Sequence, residues 1–371
     1  MITLTGKFNS ADVMIDNVDS TTQGQILSFL SHPAFEQTKI VIMPDCHAGK
    51  GSVIGFTSTL NQFVIPNIVG VDIGCGIDTY NVGPQQIDFK KFDEYLRANI
   101  PSGFNSRERA LTIPVALSNE IDRVCASIIG APEKAKRAIG TLGGGNHFVE
   151  LNQDDTSNIW VTVHTGSRKF GMDVATFYQK RAVAASLARH SNRELCWLTA
   201  EDSKAYLRDM AVAQEFARYS RLTILKILMQ YFEIYNFEAE KYISSIHNYI
   251  DFNDNIMRKG AISAHAGQRV IIPLNMRDGS IVGVGKGNQA WNFSAPHGAG
   301  RLMSRGDAKR KLTLSDYEKT MAGVWSSCVK ASTLDEAPAA YKDASTIIEC
   351  IKDTVDISFV MKPIYNFKAC E

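Results

Sequence analysis

Two residues able to hold a metal ion, Asp72 and Cys75, stand three apart in the run Ile68-Val-Gly-Val-Asp-Ile-Gly-Cys-Gly-Ile77, whose other residues are apolar or glycine. A carboxylate in such surroundings is costly unless it is paired or coordinates a cation. A thiolate is a soft ligand that can bridge two cations. Ile68, Val69, Val71, Ile73 and Ile77 read as a buried strand running on to Tyr80. Gly70, Gly74 and Gly76 interrupt it, as they do where a ligand or a second backbone comes close. The competing reading is a tight turn around a structural cysteine, because free cysteines often serve as small core residues.

Eight histidines are available as further ligands. His147, His164, His247 and His297 each adjoin a turn rich in glycine or asparagine, whereas His32, His190 and His265 do not. Asp, Cys and His together make a borderline-soft donor set suited to zinc, manganese, iron or cobalt. Asn146 and Asn248 flank two of these histidines and suit the orientation of a ligand or the binding of a substrate. Glu150 follows His147 by three, and on a strand that odd spacing turns the two to opposite faces.

A second concentration runs from Arg277 to Arg301. Its glycine-rich backbone, including Gly298, Ala299 and Gly300, offers N–H groups to phosphate, and Lys286, Arg301 and Arg305 add charge. It lacks the GxxxxGK[ST] spacing of a P-loop. His297, between Pro296 and Gly298, is a candidate nucleophile toward a nucleotide α-phosphate, a role that spacing alone does not establish, and tight turns and a solvated basic surface are the competing readings for the segment. Basic pairs and runs at Arg168-Lys169, Arg258-Lys259 and Arg305–Lys311 fit a groove for a nucleic-acid backbone, against the alternative of a solvated surface.

The elements that must position these residues belong to a 371-residue chain, 44% hydrophobic and 21% charged, with a net charge of +1. That composition is globular, and a polyanion must be met by a local basic face. Seven cysteines without a CxxC pair argue against a disulfide framework and a zinc ribbon. The first residues lack a signal-peptide pattern and no apolar run spans a bilayer, so a cytoplasmic protein without membrane contact is expected. Helix is predicted over 19–31, in two or three pieces between Asp88 and Ile139, over 315–326 and over 344–352. Strands are predicted at Ile40–Met43, Val53–Leu60, Ile159–Val163, Ala261–Ile272, Ile281–Val284 and Val355–Phe367, with Pro44–Gly51 a polar loop and 141–151 a glycine turn entering a strand. From Met172 to about Ser244 the apolar residues recur at helical spacing, which predicts two to four helices inserted at 172–245 into one domain spanning 1–371.

Taken together, MPDCHAGKG (43–51), GVDIGCGI (70–77), LGGGNHFVEL (142–151), VHTGSRKFG (163–171), HN (247–248), RKGAI (258–262), IIPLNMRDGS (271–280) and PHGAGR (296–301) resemble, in order, the blocks of RtcB-type RNA ligases. The resemblance covers nearly the whole chain. It implies an α+β fold with β-sheets around a deep metal site and flanking helices. It implies joining of an RNA 3′-phosphate or 2′,3′-cyclic phosphate to a 5′-hydroxyl, with GTP and two Mn²⁺ ions. By the same matching, Asp72, Cys75, His147, His164 and His247 are the metal ligands, with Cys75 the bridge, and His297 is the residue that takes up GMP. Asn146, Glu150 and Lys368 would contact the nucleotide, with Asn248, Lys286 and Gly298 through Arg301 beside them. Asp45 would act at the RNA 5′ end or in proton transfer. Cys46, Trp291 and Phe293 depart from the family pattern and imply a divergent bacterial-type member that repairs broken tRNA or rRNA, with an activator or translation-related partner conceivable. Two alternatives stand beside joining: a metal-dependent 2′,3′-cyclic phosphodiesterase, and a non-catalytic RNA-end or ribosome-binding factor.

Overall fold

A computed structural model describes residues 1–186 and 192–369, so His190 lies outside the described residues. In chain order the strands are β1 (Ile2–Thr5), β2 (Ser10–Val13), β3 (Ile40–His47), β4 (Ile54–Thr59), β5 (Gly76–Gly83), β6 (Phe148–Gln153), β7 (Ile159–Thr165) and β8 (Tyr242–Ile246). They continue with β9 (Asn248–Asp251), β10 (Ile256–Lys259), β11 (Ala261–Ser263), β12 (Arg269–Asn275), β13 (Gly279–Gly285), β14 (Ser294–Pro296) and β15 (Val355–Lys368). The fold is α+β, as expected. One sheet runs β1-β2-β3-β4-β10-β9, antiparallel except for the parallel pair β2–β3. A second, fully antiparallel sheet runs β12-β13-β15-β6-β7-β5-β8. Its edges nearly meet: the Ile271 N–H of β12 donates to Ser245 Oγ of β8 at 3.0 Å. β11 and β14 form a separate ladder.

Period-two alternation divides the large sheet into an apolar and a chemical face. Val149 and Leu151 of β6 join Val161 and Val163 of β7 in a core with Ile224, Leu225 and Leu228 of the helix Ala200–Tyr231. Directly opposite one another across the same strands, Phe148 pairs with His164 and Glu150 with Thr162. These four face the interior of the curled sheet. No helix is long and apolar enough to cross a membrane among the described residues.

The predicted strand over 68–80 is corrected. Pro66–Val69 is a short helix with proline in its first turn, Gly70 and Gly74 take φ of 90° and 71°, and extended structure begins only at Gly76. Proline suits a helix start and positive φ suits glycine, so the apolar run folds as a helix and turn. Asp72 and Cys75 therefore sit on the turn entering β5. The predicted polar loop at 44–51 begins later, because β3 runs through Pro44 to His47 with an irregular register after Ile42. The helical stretch consists of Arg168–Ser186 and Ala200–Tyr231 among the described residues, and Tyr242–Ile246 is strand. The predicted strand Ala261–Ile272 is broken between Ser263 and Arg269. The helix predicted over 315–326 is the shorter Leu314–Thr320. Near the start, Asp19 caps the helix Ser20–Leu30 by accepting from the Thr22 N–H at 3.0 Å.

Arg221 of the long helix ties this scaffold to the turn that carries Asp72 and Cys75. It and Asp78 are 0% exposed, 3.0 Å apart. Its guanidinium also donates to the carbonyls of Gly74 at 2.5 Å and Thr165 at 3.1 Å. Breaking a buried pair strands the remaining charge, so Arg221→Met is expected to cost about 3–5 kcal/mol in denaturant unfolding. Loss below 1 kcal/mol would mean that Asp78 finds another partner.

Candidate metal and nucleotide site

Strand register brings the donors together. In β7-β5-β8, Ile77 lies opposite both His164 and Ser245, and Gly76 opposite Ile246. His247 follows directly, its N–H donating to the Cys75 carbonyl at 2.9 Å. His147 immediately precedes β6, whose Phe148 pairs with His164. The result is a tight group: Cys75 Sγ lies 3.5 Å from His147 Nε2 and 3.3 Å from His164 Nε2. His164 Nε2 lies 3.1 Å from His247 Nε2, and His147 Nε2 lies 3.0 Å from Asp72 Oδ2.

The proton positions say what this group can hold. His147 Nδ1 is 2.9 Å from the Leu142 carbonyl, and His164 Nδ1 is 3.1 Å from the Asn146 carbonyl. A carbonyl only accepts, so each Nδ1 carries the hydrogen and each Nε2 presents a lone pair toward Cys75. Lone pairs converging on a sulfur repel unless a cation lies among them. Burial, and then neighbouring positive groups, hold His164 and His247 well below the usual imidazole range, which keeps them neutral as ligands must be. Burial opposes ionisation of Asp72, but positive charge on its His147 side holds its carboxyl below the usual range, the charge a bound cation would supply. Burial pushes the Cys75 thiol well up, so a thiolate there requires a cation beside it. These five residues fit divalent cations. Gly166 is part of the fit, because a Cβ there would lie 2.2 Å from Asp72 Oδ1.

His297 follows β14, which pairs with β11, and so stands beside the donors, its ring 4.8 Å from that of His247. Its Nδ1 is 2.7 Å from Oδ2 of Asp45, a fully buried carboxylate on β3. The close approach of Gly300 to the Asp45 backbone leaves no room for a side chain: a Cβ would fall 2.2 Å from the carbonyl oxygen.

A cavity of about 270 Å³ opens from His164, His247 and His297. Asn146, Glu150, Asn248, Gly298, Ala299, Gly300, Arg301 and Lys368 line it, all of them expected nucleotide contacts. Asn248 acts chiefly as a brace, donating to the Asp72 carbonyl at 3.3 Å and accepting from the Gly260 N–H at 3.0 Å. At the far end Lys368 pairs with buried Glu336 at 2.6 Å, and Arg301 and Tyr341 bond the same carboxylate. Burial opposes the Glu336 charge, but Lys368 and Arg305 hold its carboxyl below the usual range.

Lys286 is a correction. It pairs with Asp356 at 3.0 Å and donates to the Lys352 carbonyl at 2.6 Å, away from the cavity lining. Arg258 and Lys259 are also inside the protein, where they cannot track an RNA backbone: Arg258 bonds Asp254 at 2.7 Å, and Lys259 donates to the carbonyls of Lys50, Ser52 and Asn67. Arg305 does line the cavity. Trp291 packs with Val41, Met43 and Ala261, so that departure from the family pattern is core packing. Cys46 is likewise core, its thiol pushed up to about 11 by burial. His47, Glu336 and Tyr341 line the cavity without having been singled out, and only the position of His47 two residues after Asp45 hinted at it.

Glu150 lies on the cavity side because His147 precedes the strand, where alternation does not apply. Burial raises its carboxyl to about 7, against the Asn366 hydrogen bond at 2.6 Å and the charge of Lys368. The unfolded chain ionises Glu150 from about 4.5 and the folded chain only from about 7, so stability falls by ~3 kcal/mol as pH rises across that window. Glu150→Gln is expected to raise the melting temperature above neutral pH and to leave it unchanged below pH 4.5. A pH-independent difference would contradict this.

The sequence profile of the family described as tRNA-splicing ligase RtcB matches residues 25–129 and 127–369. RNA-splicing ligase RtcB1 of Escherichia coli is 30% identical, with 95% of each chain covered, and RNA-splicing ligase RtcB of E. coli K12 is 29% identical over the same shares. tRNA-splicing ligase RtcB of Aeropyrum pernix is 29% identical, covering 83% of each chain. The match runs through every segment that carries a donor, from Asp72 to His297, and on to Lys368: the chain belongs to the RtcB family.

Proposed function

We propose that this protein is an RNA ligase that joins a 3′-phosphate or 2′,3′-cyclic phosphate end to a 5′-hydroxyl end, using GTP and two Mn²⁺ ions, in the repair of broken RNA. The observation that carries this reading is the pairing of His297 with buried Asp45 in a cavity lined by His164 and His247 of the donor group and by Arg301, Arg305 and Lys368. With Nδ1 held by the carboxylate, His297 presents Nε2 as a nucleophile for the GTP α-phosphate. Divalent cations bound by Asp72, Cys75, His147, His164 and His247 would offset charge on the phosphate oxygens. Arg301, Arg305 and Lys368 supply positive charge for the nucleotide, and the Gly298–Gly300 backbone lines the same cavity, where its N–H groups would serve phosphate. Transfer of GMP from His297 to the RNA 3′-phosphate converts a poor electrophile into one with a leaving group. The 5′-hydroxyl then attacks and GMP departs. Holding two ends in line beside the cavity supplies much of the rate.

The test is joining of two oligonucleotides, one ending in 3′-phosphate and one in 5′-hydroxyl, with Mn²⁺ and GTP. A joined product that requires both is expected. Removal of the phosphate without joining would favour an end-processing hydrolase, and binding without turnover would favour a non-catalytic RNA-end factor.

A further inference from the structure

His47, the last residue of β3, lines the cavity shared by His297 and stands two residues from Asp45. Its Nδ1 lies 3.0 Å from the Asp45 backbone carbonyl. The carbonyl only accepts, so Nδ1 carries the hydrogen and Nε2 is left as a bare acceptor. Among the described residues no hydrogen-bond donor meets that Nε2. The backbone on either side of Asp45 is pinned by Lys342, whose ammonium donates to the carbonyls of Pro44 at 2.9 Å and Cys46 at 3.0 Å. Burial holds the imidazole down to about 4 against the Asp45 hydrogen bond and charge, and the Lys342 ammonium acts in the same direction as burial, so the ring is neutral at working pH.

The other acceptors lining the cavity are engaged, Glu150 by Asn366, Glu336 by Lys368, His164 and His247 within the donor group and His297 as the nucleophile, which leaves His47 as a neutral acceptor apart from them. Arg301, Arg305 and Lys368 donate to phosphate oxygens, whereas the lone pair of His47 repels them. It selects a hydroxyl. The proposed reaction contains one hydroxyl that must lose its proton, the RNA 5′-hydroxyl. We propose that His47 accepts this proton as the 5′-oxygen attacks the guanylylated 3′-phosphate. A bond forms between the 5′-oxygen and phosphorus. The bond from that phosphorus to the GMP oxygen breaks, its electron pair leaving on GMP, and the proton ends on His47 Nε2. Asp45 then serves both rings, its carboxylate aligning His297 and its carbonyl aligning His47, with the carboxylate charge close enough to favour the imidazolium as it forms. This inference rests on the ligase reading of the site.

The experiment uses the whole protein with Mn²⁺, an RNA already guanylylated at its 3′-phosphate, and partners ending in a 5′-hydroxyl or a 5′-amine. His47→Phe keeps bulk and removes the acceptor. It is expected to slow joining of the hydroxyl partner by ~10²-fold or more, the usual scale of general-base loss. An amine attacks through its own lone pair, so with that partner the gap should shrink to about tenfold or less. Labelling of the variant by GTP should stay within about threefold of wild type, which also shows that it folds. His47→Gln, which keeps an amide near the Nε2 position, serves if the phenylalanine variant does not fold. Joining at wild-type speed, an equal defect with both partners, or a matching loss of GTP labelling would overturn the assignment. Failure of wild type to label or to join would instead overturn the ligase reading, and this inference with it.

Discussion

Cys75→Ala is expected to abolish RNA joining and tight Mn²⁺ binding while leaving the protein folded. The sulfur is the atom that faces both His147 and His164 through their Nε2 nitrogens, at 3.5 and 3.3 Å, and so is the donor two cations would share. Asp72 lies 3.0 Å from His147 and His247 lies 3.1 Å from His164, so each histidine facing the sulfur has a further residue beside it that would help hold a cation. Removing the shared donor weakens both. Charge stabilisation of phosphate oxygens by bound cations supplies several kcal/mol, so the joining rate should fall by on the order of 10³-fold or more. Alanine in place of a small buried thiol leaves only a small void, so unfolding should shift little beside this loss. Calorimetric titration with Mn²⁺ beside the joining assay checks it. Joining within about tenfold of wild type would show that the sulfur is not the shared ligand.

Asp45→Asn is expected to have an effect of similar size through a different route. The carboxylate accepts from His297 Nδ1 at 2.7 Å, which leaves the opposite nitrogen free to attack. An amide at that position can present its N–H₂ to Nδ1, which moves the hydrogen to Nε2 and removes the nucleophile. Where a buried carboxylate orients a catalytic histidine in serine proteases, the same change costs about 10⁴-fold, and a loss of ~10³–10⁴ is expected here in the rate of GTP labelling. Metal affinity should be unchanged, since Asp45 lies outside the donor group. Normal labelling with impaired joining would place Asp45 only at the later step.

The candidate metal donors were legible because their chemistry conflicts with their surroundings: an aspartate and a cysteine in an apolar, glycine-broken run have few bland explanations. Their joint position was not, since it depends on the β7-β5-β8 register between segments more than eighty residues apart. The Asp45–His297 pair spans 252 residues and two sheets, and no local spacing foretells it. Pro66 and Gly70 carried the information that Ile68–Cys75 is helix and turn, but its run of branched apolar residues reads as a strand when taken alone. Charge counting failed at Arg258 and Lys259 for a related reason: side-chain type does not report burial, and both are satisfied internally. Lys286 sits in glycine-rich sequence resembling a phosphate loop, yet just past the end of β13 its side chain pairs with Asp356. Glu336 and Tyr341, which set the charge at the far end of the cavity, come from segments with no motif of their own.

The reading stands or falls on whether His297 takes up a nucleotide. The protein is mixed with Mn²⁺ and GTP labelled at its α-phosphate, denatured and separated by electrophoresis. The expected result is a label that stays with the chain, requires Mn²⁺ and disappears in His297→Ala. Wild-type protein that takes up no label, or His297→Ala that keeps it, would contradict the assignment of His297 as the nucleophile.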